Sequence, residues 1–188
     1  MDRIKKKMAK VYVLIVIESG KEESVISNLN RISNVTQAFG TFGTYDILTK
    51  LESENESNIQ NDILDGIRKI SNIRSTLTLT VDKKPGISKT NETEQKVLDE
   101  HMAQAFITIH CPKSEEENVL QKLHDIHEVT EADVLIGNYE IICKLAAPTY
   151  NDISEIVSKK IRKISGIRST VTINVINKQG FIRNSVSM

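Results

Sequence analysis

The sequence predicts an α+β fold built from two βαββαβ sandwiches in tandem, with the sheets of the two units packed on each other as a pseudo-dimer. Three observations lead there. The nine residues Arg68–Thr76, RKISNIRST, return as RKISGIRST at Arg162–Thr170, 94 residues later. At that offset 11–87 aligns with 105–181 without a gap, and about a third of the pairs are identical. Within each copy the apolar residues alternate in strand fashion, then switch to helical spacing, in one repeated order. A repeat of this length is a duplicated domain, well beyond the roughly 20–50 residue period of solenoids and propellers. The expected domains are 9–84 and 103–178, separated by a linker over 85–102 and followed by a tail, 179–188.

Val11–Ile17 is an unbroken apolar run, the mark of a central buried strand. In its copy, Ala105, Ile107, Ile109 and Cys111 share one face, and Phe106, Thr108 and His110 the other. A helix follows, with Val25, Leu29 and Ile32 (Val119, Leu123 and Ile126 in the copy) forming one stripe. Ser19 with Glu22, and Ser114 with Glu117, have capping-box spacing at its start. Val35–Phe42 and Tyr45–Leu51 read as a hairpin turning at Gly43-Thr44, matched by Gly137-Asn138. A second helix spans 57–70, its face made by Ile59, Ile63, Ile67 and Ile70. Asn72 and Gly166 stand where a left-handed C-terminal cap is expected, and Arg68 and Lys69 complement the helix dipole.

The last strand alternates strictly, with Leu77, Leu79 and Val81 on one side and Thr76, Thr78 and Thr80 on the other. Placing its apolar side beneath the helices gives a split-βαβ, ferredoxin-like sandwich with both helices on one face. The threonines then share the open face with Asp46, Leu48 and Lys50, joined by Phe39 and Phe106. That face is too apolar for bare solvent, so the two open faces are expected to pack together. The linker has a Pro85-Gly86 turn and a short helix near Glu94–His101. The tail repeats the turn at Gly180 and adds an edge strand.

Lysine plus arginine and aspartate plus glutamate both number 25, which argues against a nucleic-acid binder with a basic stripe. Two cysteines are too few for a disulfide framework. No apolar run reaches the roughly 18 residues of a membrane span, and the charged start lacks a signal-peptide core, so a cytoplasmic protein is expected. His124 and His127 lie at i, i+3 without an evident third ligand, and read as a solvated helix face. Cys111 and Cys143 read as small buried hydrophobes on neighbouring strands.

The runs AFGTFGTYDILTKL and IRKISNIRSTLTLTV resemble the effector-binding (RAM, ACT-like) domain of the Lrp/AsnC regulators, over nearly all of each unit. The resemblance implies an αβ sandwich that dimerises through its sheets, often assembles into rings, and binds amino acids or related molecules between subunits. It implies ligand contacts from Gly43, Tyr45, Asp46, Ser75, Thr76 and Thr78, and from Gly137, Tyr139, Glu140, Ser169, Thr170 and Thr172. A carboxylate beside hydroxyls suits an α-amino acid; the same threonines are equally good strand formers on a half-buried face. Full-length members carry an N-terminal helix-turn-helix, and about ten residues precede the first strand here. Direct DNA binding is therefore not expected, and partners would be a small-molecule effector, further copies of the chain, and full-length Lrp/AsnC regulators. The second unit has drifted, with Asp133-Val134-Leu135-Ile136 where the first has Phe39-Gly40-Thr41-Phe42.

The expected function is an amino-acid-sensing transcriptional regulator, not an enzyme, with no catalytic residues, metal or cofactor. The alternatives are an enzyme, since the same sandwich paired into a barrel also hosts small monooxygenases and haem-dependent enzymes, or a purely structural assembly protein.

Overall fold

The computed structural model of the chain describes residues 7–183. The first unit comprises β1 (Ala9–Ile17), α1 (Glu22–Leu29), β2 (Val35–Phe42), β3 (Ile47–Ser53), α2 (Glu56–Asn61) and β4 (Ile73–Val81). The helix begun by α2 continues as a π-helical segment, Asp62–Gly66, and a 3-10 turn, Ile67–Lys69. A connecting segment holds β5 (Ile87–Ser88) and α3 (Glu92–His101). The second unit repeats the pattern as β6 (Ala103–His110), α4 (Glu116–His124), β7 (Val129–Ile136), β8 (Ile141–Ala147), α5 (Tyr150–Lys159) and β9 (Ser169–Ile182). The expected α+β class and the duplication are therefore present. No helix among the described residues is long and apolar enough to cross a membrane.

The two sheets do not stay separate. The hydrogen-bonded order is β4-β1-β3-β2-β9-β6-β8-β7-β5, and β4 also pairs with β7. Thr80 and Val81 of β4 face Ile136 and Leu135 of β7, while Thr41 and Phe42 of β2 face Val175 and Asn174 of β9. Eight strands thus close into one barrel, each unit supplying four, and the expectation of two sandwiches stacked sheet on sheet is corrected. Closure leaves none of the eight barrel strands as a free edge, which stacking would have left at both units.

Closure also reverses the faces expected for the last strand of each unit. Leu79, Ile173 and Val175 point into the barrel with Tyr12, Leu14, Phe39, Leu48, Phe106, Leu135 and Ile142, and Leu77, Val81 and Val171 pack against that cluster. Their threonine neighbours lie outside, toward the helices. The physical reason is dryness. The closed interior excludes water more completely than the helix layer, which only partly covers β4 and β9, so the apolar side goes inward. Phe39 and Phe106 lie inside as expected, with Phe106 6.1 Å from Tyr12 and 6.2 Å from Phe39, so side chains fill the barrel. Separate cores lie between sheet and helices in each unit.

The units also exchange their ends. Ile87 and Ser88, following β4, pair with Ala132 and Glu131 of the second unit. Phe181 and Ile182, 94 residues on, pair with Ala38 and Gln37 of the first. Lys89 then bonds the carbonyl of Ile126, and Arg183 bonds those of Val35, Asn30 and Ile32, so each crossing strand ends by capping the opposite unit's first helix. A glycine sits at each crossing. A Cβ on Gly180 would lie 2.1 Å from the Ala38 carbonyl oxygen, and one on Gly86 2.4 Å from that of Ala132. The tail thus forms the expected strand; residues 184–188 lie outside the described residues.

Asn72 (φ 72°) and Gly166 (φ 93°) adopt the left-handed caps expected. Ser19 and Ser114 do not cap their helices, which begin later, after Lys21 and Glu115 without side-chain caps. Capping boxes form instead at Asn91–Glu94 and Thr149–Asp152.

Candidate functional site

Strands β1 and β6 occupy opposite positions in the ring, so the repeat is related by a two-fold along the barrel axis. Equivalent residues therefore meet at the same end. At the hairpin end, Tyr45 and Tyr139 both pack against the barrel core. The Tyr45 hydroxyl is pushed up from its ordinary value, first by partial burial and then by repulsion from an ionised Tyr139. Beside them, the Asp46 carboxylate accepts a hydrogen bond from the Ile17 amide at 2.8 Å. Glu140 accepts from the Cys111 amide at 3.0 Å and lies 2.8 Å from His110 Nδ1. Each acid thus ties down the end of the neighbouring first strand, at a bulge in the first unit. The structural use is the same in both copies although the side chains differ by a methylene.

Of the twelve residues the resemblance implies, the structure gathers Tyr45, Asp46, Tyr139 and Glu140 at this mouth. Gly43 and Gly137 form the exposed turns above it, with φ of 120° and 127°. Ser75 and Ser169 are exposed at the strand starts, and Thr76, Thr78, Thr170 and Thr172 are half-buried on the outer side. The last-strand hydroxyls therefore do not share a face with the two acids. Thr170 accepts a hydrogen bond from Arg162 at 2.9 Å.

The opposite end of the barrel holds a cluster that sequence reading missed. Lys10, Lys50 and Lys144 project inward with Glu131 and Asp133. Lys50 pairs with Glu131 at 2.8 Å, Lys10 with Asp133 at 3.0 Å, and Tyr12 donates to both acids at 2.9 Å. Lys144 reaches Asp99 of α3 at 3.5 Å and lies over the rings of Phe39 and Phe106. Burial alone would raise the Glu131 carboxyl, but the Lys50 and Lys10 ammoniums outweigh it and hold the group well below the usual range. Burial raises the Tyr12 hydroxyl, and the two acids raise it further. Burial lowers Lys144, with Asp99 opposing. One signal was available in the sequence. Glu131 and Asp133 replace Gln37 and Phe39, so the drift in the second unit is where the barrel gained its acids. A polar cleft of about 270 Å³, bordered by Lys50, Glu52, Glu131, Gln95 and Arg183, opens over this end.

A third feature lies outside the barrel, between α2 with its π segment and strands β1 and β4. This cleft of about 380 Å³ is lined by Val11, Ile59, Ile63, Leu64 and Val81, with Lys10, Glu56, Gln60, Arg68, Thr78 and Thr80 as its polar residues.

Comparison with known proteins places these features in a family. The model of the Lrp/AsnC ligand binding domain matches 10–88 and again 104–179. A curated relative, the HTH-type transcriptional regulator FL11 of Pyrococcus horikoshii, is 31% identical over 72 residues, 38% of this chain. Those residues make up 47% of FL11, so the match spans about half the length of that relative. The siroheme decarboxylase NirDL superimposes over 96% of this chain and 75% of its own, with a TM-score of 0.71 at 10% identity. A putative monooxygenase from Lactobacillus acidophilus NCFM covers 94% of this chain and 99% of its own, with a TM-score of 0.59 at 7% identity. At such identities the likeness is one of fold. It nonetheless overturns the expectation of a non-enzyme, because nearly the whole chain shares its fold with proteins described as enzymes. The two matched segments together cover most of the chain, and the protein belongs to the Lrp/AsnC ligand-binding domain family, in two tandem copies.

Proposed function

We propose that this protein is a regulator of the Lrp/AsnC type that senses an amino acid or related metabolite at the hairpin mouth of its barrel and passes the signal on through assembly and protein contacts. The observation that carries this reading is the convergence of Tyr45 and Tyr139 at one mouth, flanked by Asp46 and Glu140, in a chain made of two ligand-binding domains. Phenol hydroxyls beside carboxylates suit an ammonium group, and the turns at Gly43 and Gly137 bring backbone close enough to meet a carboxylate. Further copies of the chain, and full-length family members carrying a DNA-binding domain, are the proposed partners.

The test is a thermal-shift survey of the intact protein against the twenty amino acids, with light scattering to report assembly. A bound ligand stabilises by RT ln(1+[L]/Kd), about 2.7 kcal/mol at a hundredfold excess over Kd. The shift should vanish in a Tyr45→Phe, Tyr139→Phe double variant that keeps its own melting point. No shift with any amino acid at millimolar concentration would sink the amino-acid reading.

A second reading, catalysis, draws on the whole-chain likeness to a siroheme decarboxylase. In that case a tetrapyrrole carrying carboxylate side chains would be the substrate class. A saturable change in the siroheme absorbance spectrum on titration, followed by loss of carbon dioxide, would favour it over the sensor.

A further inference from the structure

We infer that the cleft beneath α2 is a binding site for an aliphatic monocarboxylate, present in the first unit and closed in the second. The duplication supplies the comparison. In the second unit Tyr150, at the start of α5, donates its hydroxyl to the Val175 carbonyl and stands edge-on to Phe42 with ring centroids 5.3 Å apart. That aromatic pair covers the end of the space between helix and sheet. In the first unit the equivalent positions are Glu56 and Ile136, and Ile136 is 56% exposed. The place that Tyr150 occupies in the second unit is left to a short acidic side chain, and the cleft stays open.

Two polar groups differ in the same direction. Arg162 is bonded to the Thr170 hydroxyl, whereas its counterpart Arg68 makes no hydrogen bond or ion pair among the described residues. The Thr78 hydroxyl, on a residue lining the cleft, is buried without a hydrogen-bond partner among the described residues. The helix above it is π-helical over Asp62–Gly66, where the second unit has ordinary α-helix. Such widened turns are frequent at functional sites. Here the π segment carries Ile63 and Leu64 along the cleft wall, and Leu64 is 53% exposed.

These features define the ligand. The guanidinium of Arg68 offers a planar fork suited to a carboxylate, and Thr78 lines the same cleft. The rest of the lining combines the aliphatic residues Val11, Ile59, Ile63 and Leu64 with Lys10, Glu56, Gln60 and Thr80, has no aromatic ring, and runs along the helix from Glu56 to Arg68. A carboxylate with an unbranched or branched alkyl body fits that description. The site is distinct from the hairpin mouth and does not depend on it.

Calorimetric titration of the intact protein with octanoate, using octylamine as the cationic control, tests this. One octanoate should bind per chain and octylamine should not. Arg68→Gln should weaken binding about tenfold or more, the usual effect of losing a hydrogen bond to a charged group. Glu56→Tyr should abolish it by installing the aromatic cover. Tyr150→Ala should raise the stoichiometry toward two, and should it fail to fold, the first two variants still decide. The Tyr45→Phe, Tyr139→Phe variant should bind octanoate normally, so failure here and failure at the mouth are separable. The inference is overturned if octanoate does not bind, or if it binds equally well to the Arg68→Gln and Glu56→Tyr proteins.

Discussion

Glu131 pairs with two lysines at the charged end of the barrel. It neutralises Lys50 and Lys10 in a barrel end where its own side chain is 18% exposed and that of Lys50 is 7%. Removing one partner of such a pair leaves a buried charge uncompensated. Glu131→Gln, which restores the residue type found at Gln37, should therefore destabilise the protein by about 3 kcal/mol, measured by urea unfolding at neutral pH. The pH dependence follows from the direction of the shift. The folded-state pKa lies below the ordinary 4.5, so the contribution is present above that value and is lost as pH falls beneath it. Wild-type stability should decline steeply below about pH 4.5 and that of Glu131→Gln less so. The two thiols give a separate check at this scale. Burial pushes Cys143 up to about 12 and, with nearby acids, Cys111 up to about 11. A thiol reagent at neutral pH should label neither until the protein unfolds, since the thiolate is the reactive form. The sequence was sufficient to read both as buried, because each falls on the apolar side of an alternating strand.

At the scale of elements, the crossing strands and the second helices matter most. Gly180 lies at φ 140° with its α-carbon against the Ala38 carbonyl, so both conformation and space require glycine. Gly180→Ala should cost roughly 1–3 kcal/mol, observed as a lower denaturation midpoint with an unchanged m-value. Thr149 caps α5 and is bonded to Asp152 in both directions. Thr149→Ala should cost about 1 kcal/mol. Sequence spacing proposed caps at Ser19 and Ser114 on equally good grounds and was wrong there, because where a helix begins depends on how the preceding strand exits the sheet. The break of the second helix into α, π and 3-10 turns was likewise invisible in its isoleucine spacing. A π turn shifts that stripe only slightly, and the packing beneath it selects the geometry.

At the scale of the whole molecule, the barrel core joins the two units into one folding unit. Its residues come from both copies, each filling one half of the ring, and two reciprocal strand crossings add main-chain pairing. Unfolding should therefore be a single calorimetric transition, with no separate transition for either unit. Phe106→Ala, at the centre of the aromatic contacts, should lower that one transition by about 3–5 kcal/mol. Two resolved transitions would show that the shared core contributes little to holding the units together.

The sequence by itself determined the duplication, the order of strands and helices, the left-handed caps at Asn72 and Gly166, and the family resemblance through the hairpin and last-strand motifs. Local periodicity and turn chemistry suffice for these, and having two copies let each check the other. Closure was decided by tertiary structure. Alternation shows that Leu77, Leu79 and Val81 share a side, but it cannot say which side is drier. That answer exists only once β4 meets β7 and β2 meets β9. The candidate sites divide along the same line. Tyr45, Asp46, Tyr139 and Glu140 were legible because the hairpin motif is local. The charged barrel end joins Lys10 to Asp133 across 123 residues, and the cleft beneath α2 is distinguished by what Tyr150 does in the other unit. Both depend on side chains brought together by barrel closure and packing, which no spacing along the chain encodes.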